Sequence, residues 1–194
     1  MQQFMNKLAR YMAIIGGVIL TLLVLLTCVS VLGRTLNTLF HSGFAQAILG
    51  DFAQTILDTG VGPVLGDFEL VEAGIAFAIF SFIPLCQISG GHASVDIFTS
   101  ALPVRVNRFI QMIVEILFAA VLILIAWRLY EGMNSKMRYQ ETTFLLQFPI
   151  WWAYAASLVA ACVSAIVGVY VALVRIAEFF QDKTIIHVGG GADH

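Results

Sequence analysis

The side chains that chemistry could use here are few: three cysteines, four histidines and a carboxylate set inside an apolar run. Cys28, Cys86 and Cys162 each fall within an apolar stretch, their number is odd, and they lack the spacing of metal ligands. A disulfide framework and a metal site are both disfavoured, and buried packing thiols are the expected reading. The histidines are scattered: His41 in a polar connection, His92 at the end of an apolar run, His187 and His194 near the C-terminus. Haem held across a bundle needs two histidines facing each other inside helices, and this set does not supply them. Glu115 is the charged residue within Phe109–Trp127. If that run crosses a membrane, the carboxylate is either an ion or proton relay or a structural group. In the second role it bonds another helix or reaches back toward Arg108. With no basic partner and no second carboxylate at that depth, the structural role is favoured. The sequence carries no nucleophile–base pair, phosphate loop or hydrolase elbow, so a non-catalytic protein is expected.

The most unusual polar constellation is Gly91-His92-Ala93-Ser94-Val95-Asp96. It follows an apolar run and precedes an amphipathic segment, residues 95–102, that ends at Pro103. His92 can donate and accept hydrogen bonds, and Ser94 or Asp96 can cap the segment that follows. The turn is either a capped interfacial loop or a contact for a partner subunit.

The elements that must position these residues are membrane spans. The chain is 60% hydrophobic and 11% charged, with a mean hydropathy of +0.92. Soluble domains carry about 25% charge. Four apolar runs, about 11–33, 71–91, 107–128 and 149–174, are long enough to cross a bilayer. At 1.5 Å per residue the first reaches roughly 35 Å as a helix, enough for a ~30 Å hydrocarbon core. The expected fold is an all-α integral membrane protein with four transmembrane helices in a single domain, residues 1–183. A flexible tail, 184–194, follows. Lys7 and Arg10 before the first run resemble a signal peptide, but the run is too long and no cleavage site follows. Leu25-Leu26-Thr27-Cys28 is a poor lipoprotein site because of Thr27, so a retained membrane helix is expected. The net charge of −2 and the lack of a basic cluster argue against nucleic acid.

Between the first two spans, residues 35–68 form a long connection. There Phe44, Ile48, Phe52 and Ile56 recur every four residues, with Asp51, Gln54 and Asp58 between them. That stripe predicts an amphipathic helix lying in the membrane interface. The first helix is expected to end at Gly33-Arg34, and Pro84 to free a carbonyl and kink the second. Pro149 suits the first turn of the fourth helix, and Trp151, Trp152 and Tyr154 suit an aromatic belt. Along that helix run two ladders of small residues, Ala153, Ser157, Ala161, Ala165 and Ala156, Ala160, Ser164, Gly168. Such ladders let another helix approach closely, either inside this unit or from another subunit.

With four spans both termini share a side. Lys7, Arg10, Arg105, Arg108, Arg175 and Lys183 lie there. Arg34, Arg128, Lys136 and Arg138 lie opposite, among Asp51, Asp58, Asp67, Glu69, Glu72, Glu131 and Glu141. The basic excess predicts both termini in the cytoplasm and residues 35–68 outside it.

In order, the chain shows Arg34 closing the first span, Glu69 or Glu72 opening the second, and Gly91-His92 with Val95-Asp96 after it. Leu102-Pro103 with Arg105 leads into the third, and Thr143, Leu146, Pro149 and Trp151 open the fourth. From roughly Arg10 to Arg175 this order resembles the small membrane subunit of tripartite ATP-independent periplasmic (TRAP) transporters, the DctQ-like family. Two features differ. The turn here lacks basic residues beside the histidine, and the outer connection is long. The resemblance implies a non-catalytic subunit of a sodium-driven carrier of organic acids in a bacterial inner membrane. Its implied partners are a large multi-spanning subunit, a periplasmic substrate-binding protein and the lipid bilayer. Sodium and substrate are expected on the large subunit, with no cofactor here and room for a bound phospholipid. Interface or structural roles fall to Arg34, Glu69, Glu72, His92, Asp96, Arg105, Pro149, Trp151, Trp152, Ala153, Ser157, Ala161 and Ala165. The alternatives are a membrane anchor of a haem or quinone redox complex, and a free-standing small transporter resting on Glu115.

Overall fold

A bilayer offers the backbone no hydrogen-bond partner, so an apolar run inside it closes its own bonds as a helix. The computed structural model describes residues 2–42, 62–90 and 104–181. These form α1 (Gln2–His41, 40 residues), α2 (Asp67–Ile88, 22 residues), α3 (Val104–Tyr139, 36 residues) and α4 (Trp151–Gln181, 31 residues). Each is long and apolar enough to cross a membrane. The amphipathic helix expected around Phe44–Ile56 and the His92–Asp96 turn lie outside the described residues, as does the tail.

Several boundaries differ from the sequence expectation. α1 continues past Gly33-Arg34 to His41. There Thr35 and Thr38 donate their hydroxyls to the carbonyls of Val31 and Arg34, one turn back, so polar residues extend the helix rather than ending it. The connection to α2 is correspondingly shorter. α3 runs on past Arg128 to Tyr139 and stops where Gln140 adopts φ 52°. α4 begins at Trp151, and Pro149 sits outside it, bridged to Thr142. α2 stops at Ile88, ahead of Gly90 at φ 63°.

α4 is the hub. It packs along both α3 and α2, α2 packs along α1, and α1 meets α4 only briefly. Half of the most apolar 18-residue stretch of α4 (50%) is buried in the chain against 11% for α3, and the packing order leaves α1 and α3 flanking α2 and α4. The small residues of α4 explain its place. Ala160, Ala161 and Ser164 are fully buried, Ser157, Ala165 and Gly168 are also buried, and Ala153 is partly covered. Only Ala156 of the two ladders is exposed. The α1–α2 contact relies on the same chemistry: a Cβ on Gly16 would stand 2.6 Å from Ser81 Cβ.

At the α2–α4 seam, Pro84 lies within α2 and has no N–H, which leaves the carbonyl of Phe80 without its helical donor. The Ser164 hydroxyl of α4 lies 2.7 Å from that carbonyl and 2.9 Å from the Ala160 carbonyl of its own helix, so its one proton is shared between the two acceptors. The buried proline and serine thus form one polar joint inside an apolar interface.

Candidate functional site

The polar architecture gathers where α2 begins. Gly66, buried and at φ 77°, turns the chain into the helix. Glycine takes that left-handed conformation without the Cβ clash of other residues. Asp67 and Glu69 follow. Two residues apart on a helix, they point to different neighbours. Asp67 faces α1: Ser30 donates its hydroxyl to Asp67 Oδ2 at 2.5 Å and accepts the N–H of Val64 at 3.2 Å. Arg34 Nη2 stands 3.8 Å from the same oxygen, but its exposed position makes this a weak ion pair. At Gly33 the helix backbone touches the carbonyl of Gly62, and a Cβ has no room there.

Glu69 faces the α3–α4 loop. Its Oε1 accepts the N–H of Leu145 at 2.6 Å, and its Oε2 that of Leu146 at 2.9 Å. Backbone donors bonded to a charged carboxylate are among the stronger hydrogen bonds. The loop is itself built tightly. Lys136 pairs with Glu141, the Thr143 N–H donates to the Phe148 carbonyl at 3.0 Å, and the Ile150 N–H donates to the Glu141 carbonyl at 3.0 Å. Gln147 turns the chain at φ 55°. The side chain of Leu146 packs over Gly66, where any Cβ would strike it. Thr143 and Leu146, which lie far from Glu69 in sequence, are thereby clamped beside it, while Pro149 is bridged to Thr142 within the loop.

A cavity of about 290 Å³ lies behind the clamp, between α2, α3 and α4. Ala73, Ala76, Ala153 and Ser157 leave the space, and Glu69, Glu72, Thr143 and Tyr154 give it polar edges. Tyr154 also packs against Gly132 of α3, so it joins two helices. Trp152 is exposed, and its ring meets Trp151 edge-on at 6.0 Å. Arg105 is exposed at the start of α3. Glu115 is partly buried on α3 and has a partner within the structure.

Other polar groups sit at the opposite end of the bundle. Arg175 and Glu178, one turn apart on α4, form a buried ion pair at 2.7 Å. Buried thiols were expected, yet Cys28 and Cys162 are exposed on outward helix faces, and only Cys86 is partly covered. An apolar residue faces lipid as readily as it faces a core, so an apolar span does not fix which way its cysteine points. Sequence reasoning also missed Ser30 and Asp67 as partners. The available signal was a serine in an apolar span together with an acid at a helix start. Nothing in the spacing linked the two.

Four membrane-length helices, with Ser30, Asp67, Glu69 and Ser164 joining helices and loops, define a multi-pass helical membrane protein. The chain belongs to the DctQ component family of tripartite ATP-independent periplasmic transporters, whose family model matches residues 23–179. No curated protein and no solved structure matches it. Family membership makes it the small, non-catalytic membrane component of a TRAP transporter of the bacterial inner membrane, with the DctM and DctP components as partners. The redox-anchor and free-standing alternatives give way to that assignment.

Proposed function

We propose that this chain is the fixed scaffold of a sodium-driven organic-acid carrier, binding neither sodium nor substrate itself. The observation that carries the reading is how its polar groups are used. Asp67 is tied to Ser30, Glu69 to two loop amides, and Ser164 to the Phe80 carbonyl. Groups engaged in this way brace helices against one another and do not line a path for ions. If the large subunit moves a domain across the membrane, it needs an immobile neighbour. A single domain, residues 1–183, with α4 at its centre and α1 and α3 presenting apolar flanks suits that role. Both termini are placed in the cytoplasm on the charge asymmetry of the connections.

The test is reconstitution with and without this chain. A tagged copy should co-purify with a larger multi-spanning protein from native membranes in mild detergent. Proteoliposomes holding both, supplied with the binding protein, should take up an organic acid when a sodium gradient is imposed. Uptake at full rate from the large subunit alone would sink the scaffold role. A chain that purifies without any membrane partner would sink the assembly itself.

A further inference from the structure

Hydroxyls within the helices of this chain turn back on their own backbone. Thr21, Thr27 and Ser81 each donate to the carbonyl one turn earlier. Ser157 of α4 does not. It is 2% exposed, it makes no hydrogen bond among the described residues, and it lines the cavity between α2, α3 and α4. Burying a polar group without a partner is costly, so this hydroxyl points to a ligand in the cavity.

The other lining groups say which kind. α2 and α4 run parallel, with Ser164 at Phe80 and Gly168 at Gln87. Two turns nearer the α3–α4 loop, Ser157 stands level with Ala73, the chain neighbour of Glu72. Glu72 lines the cavity and makes no hydrogen bond or ion pair among the described residues, and the Tyr154 hydroxyl makes no hydrogen bond there either. Glu69 differs, because both of its oxygens are committed to loop amides. None of the lining side chains is basic, and Lys136 near the loop is paired with Glu141. Ala73, Ala76, Ala153, Leu129 and Ile150 make the walls apolar. α2 and α3 do not pack along one another, and the cavity occupies the gap between them.

An apolar cavity with one uncommitted carboxylate and no basic group selects an organic cation. A metal ion suits it poorly, since calcium takes about six to eight oxygens and magnesium holds on to its waters. An alkylammonium suits it on both counts. Its head carries three N–H donors, which match Glu72, Tyr154 and Ser157 as acceptors, and its stem covers the alanine walls. The volume of about 290 Å³ stands at the small end of ligand sites, ~300–1,000 Å³, which limits the stem to a few carbons.

We propose that this cavity binds an alkylammonium group, with Glu72 as its counter-ion and Ser157 and Tyr154 as its hydroxyl partners. The group arrives on a small free amine or as the ethanolamine head of a phospholipid from the surrounding leaflet. The site concerns a ligand of this chain itself and stands apart from the scaffold role.

The test takes the full-length chain, with whatever membrane partner co-purifies, stripped of lipid by detergent exchange, and titrates it with hexylammonium in a calorimeter. Saturable binding at one site per chain is expected, with none for hexanol or hexanoate, a comparison that needs no variant. E72Q should weaken hexylammonium by about tenfold or more and S157A by about threefold, while E131Q, whose exposed carboxylate pairs with Arg128, stays within about twofold. Native mass spectrometry of protein that has kept its lipid separates the two sources. Phosphatidylethanolamine retained in preference to phosphatidylglycerol, and lost in E72Q, identifies the lipid head. Hexylammonium binding without that retention identifies a free amine. The absence of saturable hexylammonium binding, equal binding of hexanol, or an unchanged affinity in both E72Q and S157A would overturn the site.

Discussion

Ser164 shows how a single hydroxyl can matter in a membrane helix. It repairs the carbonyl that Pro84 leaves without a donor. Removing it should cost about 1 kcal/mol, the order measured for polar contacts between membrane helices. Restoring the backbone donor should make it dispensable. Thus S164A is expected to lower the thermal midpoint in detergent, and S164A in a P84A background to change it little. Equal losses in both backgrounds would mean that the serine acts by packing or through its bond to the Ala160 carbonyl, and not through the Phe80 carbonyl. Glu115 makes the opposite case. It sits in a span yet has a partner within the chain. Uptake by the assembled transporter should therefore keep its rate and sodium dependence in E115Q, and loss of sodium dependence would return Glu115 to the ion path.

At the scale of elements, the α3–α4 loop is held by one side chain from another helix. Glu69 bonds the amides of Leu145 and Leu146, and both should be slow in hydrogen exchange for a loop. In E69Q an amide N–H replaces one acceptor and faces a backbone N–H. Exchange at those two positions should rise by roughly tenfold or more, with the α1–α2 contact unaffected. Slow exchange retained in E69Q would mean that the loop's own bonds suffice. Gly66 contributes from below. G66A forces a Cβ into the left-handed region, at about 1–2 kcal/mol, and drives it into Leu146. It should loosen the same loop and also lower the thermal midpoint.

For the whole molecule the decisive feature is that α4 is inside and α1 and α3 are outside. A ladder of alanines reads equally well as an internal joint or as a face for another subunit. Because Ala161 is fully buried within the chain, A161L should disturb the subunit before it disturbs assembly, by about 1–3 kcal/mol of overpacking. The check is the melting of the isolated subunit. An unchanged midpoint together with lost co-purification would show that the ladder faces the partner. The placement of the termini belongs to this scale too. A phosphatase fused after His194, active only outside the cytoplasm, should be silent, and a fluorescent reporter that folds only inside should be bright.

Hydropathy alone determined the solvent, the number of spans and the helical class, because a bilayer leaves an apolar run no other way to close its backbone bonds. The ordered residues from Arg34 to Trp151 carried the family. What the sequence left open was direction. Cys28, Cys162 and the alanine ladders sit in spans where lipid and core select the same side chains, so no pattern says which face is inside. Helix ends were blurred for a related reason, since Thr35 and Thr38 are polar yet satisfy themselves on the preceding turn. Tertiary structure alone joined Ser30 to Asp67, Glu69 to the loop and Ser164 to Phe80. Each of those contacts joins segments far apart in sequence, and only the packing of the helices brings them within hydrogen-bonding distance.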